Sequence, residues 1–277
     1  MENHFLVAAV QMVSTDDVEQ NIQRAVTGIQ RAAKQGAQLV VLPEYFCLLS
    51  PIEQAKQSIA EAIGHGPIQS ALSEVARDAS IWLVGGTLPI KSDDPSRVFN
   101  TQLVFDPTGA VAARYDKIHL FNYTNTHESY RESKAVKAGN EIKVVELEIG
   151  SKSSSVRVGL STCYDLRFPE MYRAMGPVDL IVVPAAFTAT TGQAHWEVLL
   201  RARAIENQAY VLAAAQGGEH PGARQTWGHS MLIDPWGEII GEMELGEGVL
   251  VGQIDLAKIA SVRTSLPALD NRVIGLS

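Results

Sequence analysis

The chain is predicted to fold as an α/β protein of four layers, a helix–sheet–sheet–helix (αββα) sandwich, and three observations carry that expectation. Strand-like and helical segments alternate from end to end of its 277 residues. An apolar strand, Asp-Pro-x-Gly and a returning strand occur together twice, at 104–111 and at 232–239, once in each half. Proline presets the turn and glycine takes the positive φ, so each copy reads as a β-hairpin and the two halves read as two similar sheets. Sheets with helices on one face each must bury the other face, and packing them together does so.

Taken in order, residues 5–12 read as a strand. Residues 17–35 read as a helix with Val18, Ile22, Ala25, Val26, Ile29 and Ala33 on one face and Gly36 just past its end. A short buried strand at 39–42 precedes a helix opened by Pro67 that carries Ile68, Leu72 and Val75, and a strand at 81–88. Residues 155–161 form a buried strand rich in β-branched side chains, and a helix begins within 168–175. The helix at 195–208 (Val198, Leu199, Ala202, Ile205) leads into the apolar strand 210–215. No linker or low-complexity tract divides the chain and 151–155 is only a polar turn, so residues 1–277 are expected to form one domain.

A hydrophobic content of 46% is that of an ordinary globular protein. Thirty-one acidic against 23 basic residues give a net charge of −8, and no Lys/Arg cluster is present. This argues against nucleic acid and anionic membranes as partners. No apolar run approaches the ~20 residues of a membrane span, and the first ten residues lack the basic start of a signal peptide. Two cysteines make no disulfide framework, which fits a reducing, cytoplasmic setting.

The chemistry-bearing residues sit at strand ends. Cys163 follows the strand 155–161 on the turn into a helix, where a thiol is held on a tight bend beside free backbone N–H groups. Glu44, in Leu-Pro-Glu-Tyr-Phe, directly follows the strand 39–42. Lys117, in Tyr-Asp-Lys-Ile-His-Leu-Phe, follows the return strand of the first hairpin. A cysteine nucleophile needs a base for its proton and a positive group for the oxyanion, which Glu44 and Lys117 can supply. His119 is a rival base. Cys47 reads as packing, and the segments 195–197 and 225–230 as cleft-lining or structural. Seven scattered histidines lack zinc-site spacing, so no metal is expected, and Gly246–Gly252 precedes no helix as a nucleotide-binding loop must.

Leu-Pro-Glu44-Tyr, Tyr-Asp-Lys117-Ile-His-Leu-Phe and Cys163-Tyr-Asp-Leu-Arg-Phe-Pro-Glu resemble, in order, the Glu, Lys and Cys motifs of the nitrilase superfamily of carbon–nitrogen hydrolases. Residues 192–207 and 227–237 are similar to its later landmarks, so the resemblance covers essentially the full length. It implies the same αββα sandwich, a homodimer or higher homo-oligomer, no cofactor, and a second active-site glutamate, assigned to Glu132 rather than Glu128 by spacing to Gly139. Tyr-Asp-Leu-Arg after the cysteine, with Ala-His-Trp-Glu-Val-Leu-Leu-Arg-Ala-Arg-Ala-Ile-Glu, resembles the branch of ω-amidases and deaminated-glutathione amidases. The stretch 212–220 leans toward the latter.

The implied reaction is hydrolysis of a small-molecule amide through a thioester on Cys163. Glu44 moves the proton, Lys117 and the Tyr164 N–H hold the oxyanion, and Glu44 and Glu132 orient water. Arg167 is expected to grip the substrate's carboxylate, unless it pairs structurally with Asp165 or Glu170. Tyr45, Phe187 and Thr191 complete the expected substrate-binding set. A broader aliphatic ω-amidase is the second reading, and a catalytically idle scaffold the third.

Overall fold

The computed structural model describes residues 4–52, 54–124, 126, 129–149 and 154–274. Glu128 and residues 151–153 of the expected polar turn lie outside the described residues. The strands are β1 (His4–Gln11), β2 (Leu39–Val41), β3 (Trp82–Val84), β4 (Leu88–Lys91), β5 (Val98–Phe105), β6 (Val111–Asp116), β7 (Asn122–Thr124), β8 (Ser129–Arg131), β9 (Val136–Lys137), β10 (Lys143–Ile149), β11 (Ser154–Leu160), β12 (Leu180–Ala185), β13 (Tyr210–Ala215), β14 (Glu219–His220), β15 (Arg224–Gln225), β16 (Ser230–Ile233), β17 (Ile239–Met243) and β18 (Gly248–Asp255). The helices are α1 (Val18–Lys34), α2 (Ala55–Ser58), α3 (Pro67–Ala79), α4 (Pro169–Ala174), α5 (Ala189–Asn207) and α6 (Leu256–Ser265).

Two large sheets carry the fold. The first runs β18-β1-β2-β3-β5-β4, with β6 and β9 also paired to β5; the second runs β10-β11-β12-β13-β16-β17. Along β18-β1-β2-β3-β5-β6 the pairings are antiparallel, parallel, parallel, antiparallel, antiparallel, and the second sheet repeats that sequence. The central strands are buried on both faces. In β1, Val7 and Ala9 join the apolar cluster that includes Val156, Val158 and Leu160 of the second sheet. Ala8 and Val10, pointing the other way, meet Ala25, Ile29 and Ala32 of α1 and Ile68 and Leu72 of α3. The second sheet is covered by α5 through Trp196, Leu200 and Ala204. These layers are the αββα sandwich.

Both Asp-Pro-x-Gly segments form the expected hairpins. The Asp106 carboxylate accepts from Thr108 and Ala110 N–H, and the Asp234 carboxylate from Trp236 and Glu238 N–H. Gly109 and Gly237 take φ +83° and +87°, which glycine adopts without penalty.

Two expectations shift. The strand expected at 81–88 breaks after Val84, because the chain at Gly85–Gly86 packs onto the Glu44 loop so closely that a Cβ on Gly86 would lie 2.2 Å from Pro43 O. The helix expected from residue 195 starts at Ala189, where the Thr188 side chain accepts from Thr191 N–H and caps it.

Candidate active site

Four segments converge on one cleft. Glu44 stands three residues beyond β2, and the buried Gln216 side chain donates to its backbone carbonyl at 3.1 Å. Lys117 directly follows β6, and its N–H donates to Asn100 O at 2.9 Å. Glu132 opens a 3-10 turn after β8, and Cys163 opens another after β11. Lys117 and Glu44 are 1% exposed, Glu132 6% and Cys163 7%, so these ionisable groups sit together almost without water.

Lys117 Nζ donates to Glu44 Oε1 at 2.8 Å and to Glu132 Oε2 at 2.9 Å. Burial alone disfavours the ammonium, but the Glu132 and Glu44 carboxylates outweigh it and hold Lys117 well above the ordinary lysine range. Burial likewise works against the Glu132 charge, and Lys117 with the Tyr45 hydroxyl prevails and lowers its pKa. Tyr45 OH donates to Glu132 Oε1, and Phe121 N–H donates to Oε2 at 2.6 Å. Asn100 Nδ2 lies 3.0 Å from Glu44 Oε1 and 3.2 Å from Glu132 Oε1, and the Ala186 N–H donates to Glu44 Oε2 at 3.0 Å. Removing one member of such a buried cluster would strand the others' charges.

Cys163 is held at φ +49°, a left-handed conformation that costs a side-chain-bearing residue energy. The Thr162 side chain accepts from the Asp165 N–H and the Asp165 carboxylate from Thr162 N–H, clamping the bend. Burial first, and the Glu44 charge second, push the thiol well above its ordinary range, while Lys117 and the Ala186 N–H pull the other way. The thiol is therefore protonated at rest, in one cleft with the Glu44 carboxylate, with a cation and an N–H donor positioned for its anion.

His119 is committed elsewhere. Its Nδ1 is 2.7 Å from Asp165 Oδ1, and its ring stacks on Phe168 with centroids 3.7 Å apart. Asp165 also accepts from Tyr115 OH at 2.6 Å. Tyr115 and His119 flank Lys117, so Asp165 ties the nucleophile turn to the lysine segment.

Of the expected substrate-contacting residues, Tyr45 lines the cleft beside Lys117, and Phe187 and Thr191 line its continuation past Cys163. Arg167 is not among the lining residues. Its two terminal nitrogens lie 3.3 Å from His195 Nδ1, and its guanidinium sits over the Tyr164 and Phe187 rings at 5.8 and 5.4 Å. The alternative pairing with Asp165 is replaced as well, because that carboxylate is spent on Tyr115, His119 and Thr162. Asn100, the Ala186 N–H, Arg224 and Lys56 had not been expected in the cleft; Arg224 and Lys56 line it from distant parts of the chain.

The carbon–nitrogen hydrolase family matches the sequence over residues 6–264. The chain belongs to that family. It is 38% identical over 270 residues to a deaminated glutathione amidase of Yersinia enterocolitica, covering 96% of this chain and 92% of that one. It is also 38% identical to a human omega-amidase, covering 95% of this chain and 93% of the relative. The crystal structure of the C. elegans NitFhit protein superposes with a TM-score of 0.88 at 39% identity, covering 98% of this chain and 65% of that longer one. The nitrilase-superfamily sandwich and carbon–nitrogen hydrolysis thus apply to this chain. Among the described residues no group of three His, Cys, Asp or Glu is arranged to hold a metal ion, and no helix is long and apolar enough to cross a membrane.

Proposed function

We propose that this chain is a cysteine-dependent amidase acting on the amide of a small 2-oxo acid. Deaminated glutathione, released as 2-oxoglutarate and Cys-Gly, is the favoured substrate; 2-oxoglutaramate and related aliphatic amides make up the broader reading. The observation that carries this is a buried thiol on a left-handed bend, lining one cleft with a carboxylate that also holds a buried lysine.

Glu44 takes the Sγ proton as the thiolate bonds to the amide carbon. The oxyanion meets Lys117 Nζ and the Tyr164 N–H, which the start of a 3-10 turn leaves unpaired. Such donors are typically worth about 3 kcal/mol each to the transition state. Glu44 returns the proton to the leaving nitrogen as the C–N bond breaks, leaving a thioester. Water then loses a proton to Glu44 and attacks, the C–S bond breaks, and Glu44 reprotonates the sulfur. Glu132 holds Lys117 throughout and helps orient the water. Tyr45, Phe187 and Thr191 form walls for the acyl chain, and Arg167 braces Phe187 and Tyr164 from behind.

The test is mass spectrometry of protein quenched during turnover of 2-oxoglutaramate, with ammonia release measured in parallel. An acyl adduct on the peptide containing Cys163 is expected. An adduct on another residue, or no ammonia or amine released from either 2-oxo acid amide, overturns the reading.

The whole chain is proposed to act as one catalytic unit in a reducing, cytoplasmic compartment, consistent with its two free cysteines. A homodimer is also proposed. Val198 and Ile205 of α5, with Trp236 and Ile240 of the second hairpin, leave large apolar side chains exposed, suited to a second copy of this chain. Sedimentation should give a dimer that Val198→Glu weakens; a wild-type monomer would remove this element.

A further inference from the structure

We propose that Arg224 receives the carboxylate on the acyl part of the substrate, so that this cleft selects monoamides of 2-oxo dicarboxylic acids over neutral amides of the same length. The inference rests on the amidase reading above and names the residue that gives it specificity.

Charge makes the first argument. A protein of net charge −8 repels anions at long range, so an anionic substrate needs a local cation. Within the cleft, Lys117 is shared by the Glu44 and Glu132 carboxylates and is held for the oxyanion, and Lys56 Nζ is seated over the Tyr45 ring, 4.5 Å from its centroid. Arg224 lines the same cavity as Cys163, and no carboxylate pairs with it among the described residues. Deaminated glutathione and 2-oxoglutaramate share one acyl group, 2-oxoglutaryl, whose far end is a carboxylate. A single arginine beyond the nucleophile would therefore serve both.

The second argument is unspent hydrogen-bonding capacity. A guanidinium offers five N–H donors in a planar fork suited to a carboxylate. Among the described residues Arg224 makes one long bond, Nη2 to Ala186 O at 3.4 Å, and its buried Nε has no partner. Ala186 is also the residue whose N–H faces Glu44 and Cys163, so the guanidinium stands beside the reacting segment. The Tyr130 ring lies under it with the guanidinium carbon 5.3 Å from the centroid, which fixes its plane.

The third argument is rigidity. Arg224 sits on the β14–β15 hairpin, whose turn holds Gly222 and Ala223 at φ +76° and +59°. Beneath it, buried His220 bridges Ser14 O at 2.8 Å and Thr226 Oγ1 at 2.7 Å. A carbonyl only accepts, so His220 Nδ1 carries the proton and Nε2 accepts from Thr226. Burial, with a smaller push from Arg224, lowers the His220 pKa and keeps the ring neutral. The hairpin thus presents Arg224 in place before substrate arrives, which limits the ordering needed on binding.

The test compares 2-oxoglutaramate with 4-oxopentanamide, in which a methyl replaces the carboxylate, by ammonia release from wild type, Arg224→Met, Arg224→Lys and Arg167→Met. For Arg224→Met, kcat/KM on 2-oxoglutaramate should fall by about 100-fold or more, and on 4-oxopentanamide by less than about threefold. Arg224→Lys should recover part of the loss, since it restores charge without the fork. Arg167→Met should move both amides together. Equal losses on both amides in Arg224→Met, or no loss on either, overturn the proposal while leaving the amidase reading intact. A selective loss in Arg167→Met instead would return the role to Arg167. Wild-type protein that cleaves neither of these amides nor deaminated glutathione would sink the amidase reading and this proposal with it.

Discussion

The two sheets share one order of strand pairings and one hairpin device, yet their matching strand ends carry different chemistry. The first parallel strand of one sheet, β1, runs into buried Met12; its counterpart β11 runs into Cys163. The second, β2, leads to Glu44, whereas β12 leads to Ala186, whose contribution is a backbone N–H bonded to that same Glu44. After the hairpins, β6 is followed by buried Lys117 and β17 by exposed Glu244. The first half thus supplies base and cation, and the second supplies nucleophile and N–H donors. The architecture provides strand ends that meet between the layers, and which residues occupy them decides where a reaction can occur. The cleft exists only when both sheets are packed.

Each half also carries one cysteine, and that pair gives the widest contrast. Cys163→Ala is expected to lower kcat by at least about 10⁴-fold with unchanged far-UV circular dichroism, because the covalent step loses its nucleophile. Turnover near the wild-type rate would show that the second half does not hold the nucleophile.

Lys117→Arg should cost about 10²- to 10³-fold in kcat, since a longer planar cation cannot satisfy both carboxylates and the oxyanion position. Retention of more than about a tenth of the activity would mean the first half supplies only a general positive charge.

Glu44→Gln separates the halves by pH. Burial and then the Glu44 charge raise the Cys163 thiol, so removing the charge moves its pKa down toward the ordinary range. More thiolate then exists at any pH below that value. Iodoacetamide should label Cys163 faster in Glu44→Gln than in wild type at pH 8, although hydrolysis is lost. Slower labelling would show instead that Glu44 deprotonates the thiol in the free enzyme.

The smallest effect belongs to Cys47→Ala. Burial raises this thiol to about 12, and Glu44, Lys117 and the left-handed bend are not among its neighbours' influences. Activity should stay within about twofold, with a cost of about 1 kcal/mol in thermal unfolding for the lost packing.

Much of this was legible because the signals were local. Ile22, Ala25 and Ile29 mark α1 by period, and the two Asp-Pro-x-Gly turns mark the paired sheets by composition. Glu44, Lys117 and Cys163 stand out because each reactive side chain lies just past the end of a strand. The true start of α5 was hidden because residues 189–194 are small or polar and show no apolar face; the signal was Thr188 as a cap. The cleft's remaining parts depend on distance in space. Asn100 is a polar residue within a strand, Ala186 acts through its backbone, and Arg224 is 61 positions from Cys163 along the chain. Nearness in sequence favoured Arg167, which the turn after Cys163 directs onto His195 and two aromatic rings instead.

The bend at Cys163 has a consequence for heat resistance. A side chain held at φ +49° costs about 1 kcal/mol relative to glycine, which visits that region freely. Cys163→Gly, equally dead as a catalyst, should therefore melt above Cys163→Ala by about 2–4 °C, the shift that such a difference produces in a chain near this size. The strain is kept at this bend because the reaction needs a sulfur there, which the unstrained residue, glycine, cannot supply.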